Sequence, residues 1–425
     1  MRKVAFGACF LLCCLMVTGG MAAKQTLTDE QQLGKLLLFD KSLSLRNNQS
    51  CASCHAPSVG WTSPIPEINR RGAVYPGSVR TAMGNRKPPT AAYATTAPLF
   101  DYDPGEGLFF GGNFWDGRAT GWDLGNPAAD QARGPFLNPV EQALPDEAAV
   151  VSKVCSSKYA PLFKKVWGPN VCDNIDEAYN SIALSIAAYE GSFEVNQYSS
   201  KFDAVMAGDV EFTAQEALGW QLFEAEGKGK CALCHIIVAD QENGTPPLFT
   251  DYTFDNLGIP RNPLNPFYET DPNFVDKGLG DFLRSLVQNN NDWRSAPHVT
   301  GVRDLTDDEL LSLAAENDGK HKVPTLRNVA LAPGPGVTKA FGHNGYFKSL
   351  KGIVHFYNTR DVKARCANPL TTEADALIQN CWPAPEVADN VNTDELGNLG
   401  LSPEEEDAIV AFLETLSDGY WVKKP

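Results

Sequence analysis

Two short stretches carry residues that could do chemistry: CASCH, Cys51 to His55, and CALCH, Cys231 to His235. Each sets two thiols three positions apart, with an imidazole directly after the second. Cys-x-x-Cys alone also serves redox dithiols and zinc ribbons, so the adjoining histidine separates the readings. A haem held by two thioethers needs two thiols about one helical turn apart, and the next imidazole then reaches the iron from the same face. A tetrahedral zinc site would draw on both motifs together and has no use for a histidine abutting each second cysteine. The spacing predicts two covalently bound haem c groups, one on Cys51, Cys54 and His55 and one on Cys231, Cys234 and His235. A structural zinc protein is the alternative.

What each haem does depends on the group facing the other side of its iron. No methionine follows Met206, so the second site must draw on His298, His321, His343, His355 or a less usual ligand such as tyrosine. Between His55 and His235 there is no other histidine, and Met83, in the first site's loop region, reads as a core or surface residue. A first haem with an open position could bind a small oxidant. If both irons are instead fully ligated, the chain is a non-catalytic dihaem electron carrier.

Two similar helices lead into the motifs. LTDEQQLGKLLLF has Thr28 and Gln31 in capping-box spacing and puts Leu33, Leu36 and Leu37 on one face, while FTAQEALGWQLF repeats the device with Thr213, Glu216, Leu218 and Leu222. This self-similarity predicts an all-α fold of two cytochrome c-like helical domains with long irregular loops, related by an internal repeat. The domains are expected over 24–205 and 206–425. Ile182, Ile186 and Tyr189 share a face of a helix closing the first. LSPEEEDAIVAFLETLSDGY closes the second, with Ser402 as cap, Pro403 in the first turn, Glu405 completing the box, Gly419 just past the end, and Ile409, Phe412, Leu413 and Leu416 turned inward. The segment 236–320, rich in Pro, Asn and Asp, is expected to be a mostly loop insertion that could shape a site or dock a partner.

A chain of 425 residues exceeds one ordinary core, and its 43% hydrophobic and 21% charged residues are those of a soluble globular protein. Residues 1–23 have Arg2 and Lys3, an apolar run and then small residues, which is the pattern of a secretory signal, so the expected location is the periplasm. No later segment is long enough to span a membrane. The net charge of −16 argues against nucleic acid and anionic membrane as partners and favours a basic redox partner. Of the 11 cysteines, Cys9, Cys13 and Cys14 leave with the signal. In an oxidising compartment the pairs Cys155–Cys172 and Cys366–Cys381 are plausible disulfides, each worth roughly 3 kcal/mol.

Four further segments, NFWDGRA (Asn113 to Ala119), DQARGPFLNPVE (Asp130 to Glu141), VPTLRNVAL (Val323 to Leu331) and GHNGYFKSLKGIVHFYNTRD (Gly342 to Asp361), resemble the bacterial dihaem cytochrome c peroxidases and the related MauG-type enzymes. The resemblance covers most of the chain after the signal and includes both haem motifs in order. It implies reduction of hydrogen peroxide at the first haem, with Gln131 and Glu141 on the peroxide side and Pro135 shaping the pocket. A carboxylate beside peroxide can move a proton from one oxygen to the other so that water departs. It also implies that Trp115 relays electrons between the haems. Electrons would come from a small redox protein or, as in the MauG type, from side chains of a partner protein.

Two departures point to the MauG-type branch. Peroxidases that need reductive activation carry a distal histidine in the loop after the first motif, and residues 56–77 contain none. At the position of their second-haem methionine this chain has Tyr357, which resembles the tyrosinate ligand of the MauG type, with His355 two residues away as the other candidate. The family also binds calcium between its domains through an asparagine and two backbone carbonyls. At the asparagine position stands Lys87, whose ammonium cannot coordinate calcium and could take its place electrostatically, although Thr338 and Ala340 could still offer the carbonyls.

Overall fold

The computed structural model describes residues 25–239, 244–289, 293–334 and 336–421. The signal expected over 1–23 lies outside the described residues.

Both entry helices begin as their sequences dictate. The Thr28 hydroxyl accepts the Gln31 amide and the Gln31 side chain accepts the Thr28 amide, opening helix Asp29–Phe39. Thr213 and Glu216 exchange the same pair of bonds at helix Ala214–Glu224. First-turn amides that the helix leaves unpaired are thereby satisfied.

Each entry helix then crosses a later helix at a glycine. A β-carbon on Gly34 would lie 1.8 Å from the Ser185 carbonyl oxygen in helix Ile175–Glu190. One on Gly219 would lie 1.9 Å from the Ala408 carbonyl oxygen in helix Pro403–Glu414. Only a residue without a side chain lets the backbones approach so closely. The crossings set which face is buried, and here the sequence expectation needs correction. Leu38 and Phe223 turn inward beside Leu33, Leu37 and Leu222, whereas Leu36 and Leu218 are exposed.

The first core gathers Leu33, Leu37, Ile182, Ile186 and Tyr189, and the second gathers Phe223, Ile409, Phe412, Leu413 and Leu416. Helix Lys201–Met206 gives Phe202 to the second core. Both expected disulfides are present.

The fold is mostly helical rather than all-α. Among the described residues, six strands of two or three residues form three ribbons: Asp101–Asp103 with Leu108–Phe110, Phe254–Asp255 with His321–Lys322, and Ala364–Arg365 with Cys381–Trp382. Among its described residues the segment 236–320 is mostly loop, as expected, yet it carries a packed pair of helices that the expectation missed. Helices Leu279–Gln288 and Asp307–Glu316 pack together and, with Phe109 of the first ribbon and Phe100 just before it, close a third core. Leu279, Phe282, Leu283 and Leu286 follow helical spacing over only ten residues, a short period hidden by loop-rich flanks. None of the described helices is long and apolar enough to cross a membrane.

Candidate functional site

Each Cys-x-x-Cys-His stretch opens as a single tight turn, Cys51–Ser53 or Cys231–Leu233, and carries its histidine to the wall of a separate large cavity. His55 Nδ1 pairs with the Trp61 carbonyl at 3.2 Å and His235 Nδ1 with the Phe249 carbonyl at 2.8 Å. Trp61 and Phe249 both hold left-handed backbones, φ 57° and 55°. Bulky residues pay for that conformation, and here it aims a carbonyl at the imidazole. With Nδ1 as donor, Nε2 of each ring keeps a free lone pair. Burial pulls both imidazoles down to about 4, so they stay neutral and able to bind metal.

Burial also pushes the Cys51, Cys54 and Cys231 thiols up to about 12, and Cys234 is raised as well. All four thiols are free, while the other four described cysteines are paired in disulfides. Two thiols and one neutral imidazole on each cavity wall suit a thioether-held haem. Zinc does not fit, because the two motifs line different cavities and bring no four ligands together.

The first cavity is also lined by Gln131, Pro135 and Glu141. Gln131 and Pro135 lie one turn apart on helix Pro127–Leu137, where proline has no amide to offer the Gln131 carbonyl. Glu141 follows in the turn after this helix and accepts a bond from Asn138 Nδ2 at 2.9 Å. Burial raises its carboxyl above the usual range, with Asn138 and Arg118 opposing. Met83 lines neither cavity.

Tyr357 lines the second cavity. Burial, with Asp255 adding to it, pushes its phenol above the usual range, so the phenolate forms only beside a strong cation. His355 is turned away. Its Nδ1 pairs with Glu406 at 2.8 Å and its Nε2 with Lys363 at 2.6 Å, and it lines neither cavity. His298 is exposed and also lines neither, whereas His321 and His343 line the second cavity beside each other.

Trp115 belongs to a wall shared by both cavities, together with Lys87, Lys322 and Pro324. Its Nε1 donates to the Lys87 carbonyl and its own carbonyl accepts the Lys322 amide, both at 2.8 Å. The Lys87 ammonium is buried and donates to Thr62 Oγ1 and the Pro88 carbonyl. The Thr338 carbonyl accepts from Asn69.

A protein-family model described as di-haem cytochrome c peroxidase matches residues 28–211. The methylamine utilization protein MauG of Paracoccus denitrificans is 36% identical over 396 residues, covering 91% of this chain and 88% of its own. This chain belongs to the di-haem cytochrome c peroxidase family. It is accordingly an oxidoreductase acting on peroxide, with two haem c groups as its cofactors. The cytochrome c551 peroxidase of Nitrosomonas europaea is 31% identical over 77% of this chain and 72% of its own. The diheme peroxidase BthA of Burkholderia thailandensis superposes with a TM-score of 0.71 at 26% identity, covering 93% of this chain and 87% of its own.

Sequence reasoning passed over several groups that the fold brings to the cavities. Glu190, at the C-terminal end of helix Ile175–Glu190, lines the first cavity with no hydrogen-bond or ionic partner among the described residues. Burial raises it to about 8. A lone acid ending an otherwise apolar helix face was the available signal. Gln142, next to Glu141, is 3% exposed and lines the same cavity with both amide atoms unpartnered.

Proposed function

We propose that the chain is an exported, periplasmic enzyme that reduces hydrogen peroxide in the first cavity and draws the electrons, through Trp115 and the second cavity, from side chains of a partner protein. Cys51, Cys54 and His55 would hold the first haem, and Cys231, Cys234, His235 and Tyr357 the second, within two cytochrome c-like halves. When bound, the haems supply the metal that accepts peroxide and the redox centres that store its oxidising equivalents.

Reduction of hydrogen peroxide to two waters consumes two electrons and two protons. Glu141, half-buried and with its carboxyl raised above the usual range by desolvation, can take a proton from one peroxide oxygen and return it to the other, so that the O–O bond breaks with water as leaving group. The Gln131 amide can donate to peroxide, and Pro135 leaves room beside it on the same helix face. Trp115, fixed by backbone bonds on both sides, places one oxidisable ring between the cavities.

The observation that carries this reading is the contrast between the cavities: the first presents Gln131 and Glu141 and neither methionine nor a second histidine, while the second presents Tyr357. Tyrosinate stabilises oxidised iron, which suits a second haem that shares oxidising equivalents. The test is one equivalent of hydrogen peroxide added to fully oxidised protein, followed in the visible and near infrared. A prompt change to a long-lived species with charge resonance between haems is expected. Silence until one haem is pre-reduced overturns the open first site and makes a small redox protein the donor.

A further inference from the structure

Two buried lysines sit where the halves meet, and neither is paired with a carboxylate among the described residues. Lys87 gives its ammonium to Thr62 Oγ1 at 2.9 Å and to the Pro88 carbonyl at 3.0 Å. Lys339 gives its ammonium to three backbone carbonyls, those of Val59 at 2.9 Å, Leu331 at 2.8 Å and Asn328 at 3.2 Å. Val59 lies just after the first motif, whereas Asn328 and Leu331 follow strand His321–Lys322 in the other half. One side chain thus gathers backbone from both halves onto a single charge.

The cage of carbonyls is tight. A β-carbon on Gly60, next to Val59, would lie 2.8 Å from the Asn328 carbonyl oxygen. Asn328 is itself fixed from behind: its amide reaches the Leu416 carbonyl, and its side chain donates to the Asp418 carboxylate and accepts the Asp418 amide. Three carbonyls need three N–H donors, which an ammonium has and a neutral amine lacks. Burial pulls Lys339 down to about 7, with Lys87 adding to the pull. The carbonyls oppose it, because deprotonation would turn a lone pair on one of them.

The family resemblance implies a calcium ion at this junction, and the residues do not fit one. Calcium gathers about six to eight oxygens, many of them from carboxylates. Here an ammonium, that of Lys87, stands at the position of the asparagine oxygen, and the Thr338 carbonyl is taken by Asn69 Nδ2 at 3.0 Å. Lys339, between Thr338 and Ala340, adds a second positive charge near enough to repel the first. Two ammoniums also repel a divalent ion. We propose that Lys339 is a built-in structural cation, which fastens the two halves through the Val59, Asn328 and Leu331 carbonyls and, with Lys87 beside it, leaves calcium no site there. The Lys87 carbonyl receives Trp115 Nε1, so the same junction supports the wall that the two cavities share.

The test is the metal content and stability of the holoprotein. Purified in calcium and then desalted, it should carry far less than one calcium per chain by plasma mass spectrometry, and its melting temperature should be the same in EGTA and in millimolar calcium chloride. One calcium per chain, or a melting temperature that follows calcium, overturns the proposal. Lys339→Met keeps a buried apolar stem and removes all three donors. It should lower the melting temperature by several degrees and speed deuterium uptake together in the peptides holding Val59 and in those holding Asn328 and Leu331. Lys165→Met, at an exposed pair with Asp29, should change neither. Uptake that stays unchanged on either side of the junction refutes the fastening. Should Lys339→Met fail to fold, Lys339→Gln, which keeps two donors, is read in the same way, and the calcium measurement on the wild-type protein decides in any case.

Discussion

The two halves share a scaffold and differ in the side chains they place on the wall of each cavity. Both have a threonine capping box, a glycine at the helix crossing, and a left-handed bulky residue whose carbonyl orients the motif histidine. The first half then offers Gln131, Glu141 and Glu190, whereas the second offers Tyr357 and the stacked His321 and His343. On the proposed function, one scaffold would thus seat a reactive haem and a ligated one, because the side chains facing each cavity differ while the capped helix, its crossing and the motif turn are shared.

The largest effect should come from exchanging those cavity residues. Glu141→Gln should slow the reaction with peroxide by about 100-fold or more while leaving both haem spectra intact, as loss of a general acid–base group does. Tyr357→Phe should do the converse, keeping both haems attached but removing the tyrosinate-type spectrum. Stopped-flow and resting spectra of the two variants check this, and an unchanged Tyr357→Phe spectrum would sink the ligand assignment.

A smaller and symmetric effect is expected at the crossings. Gly34→Ala and Gly219→Ala each drive a β-carbon into a carbonyl, and overpacking of this kind costs roughly 1–3 kcal/mol. Thermal melting of both variants should show similar losses; a large loss at one site alone would break the equivalence of the halves.

The smallest contrast lies in pH. Glu190 is raised to about 8 by burial, so its folded form binds a proton more tightly than the unfolded chain does. Its contribution is present below the unfolded value of about 4.5 and is lost as pH rises toward 8. Glu406 goes the other way. Burial opposes it, but bonds to His355, Asn358 and Lys351 win and hold it near 2, so its contribution is present above about 4.5 and fades as pH falls toward 2. Melting temperature should fall less steeply between about pH 4.5 and 8 in Glu190→Gln, and less steeply as pH drops from about 4.5 toward 2 in Glu406→Gln.

Much of this was legible because it is local. The capping boxes, the final helix from Pro403 and both Cys-x-x-Cys-His turns depend on residues within a few positions of one another. Tyr357 and Trp115 were found only through resemblance, since a lone aromatic has no spacing to betray it. Leu36 and Leu218 were misplaced because periodicity alone cannot say which of two adjacent apolar faces meets a crossing helix. His321 and His343 stand far apart in sequence, and only the fold stacks them.

The third core has a consequence for how the molecule is made. It joins Phe100 and Phe109 to Leu310 and Ala314, so the hairpin of the first half waits, its aromatic rings uncovered, until most of the chain has been synthesised. The fully buried residues of the first core end at Val195, with only Tyr198 and Leu248 added to its edge later. The first half can therefore form first, its seam to the neighbouring half follows once Leu310 and Ala314 arrive, and the second core, which needs Leu416, closes after that.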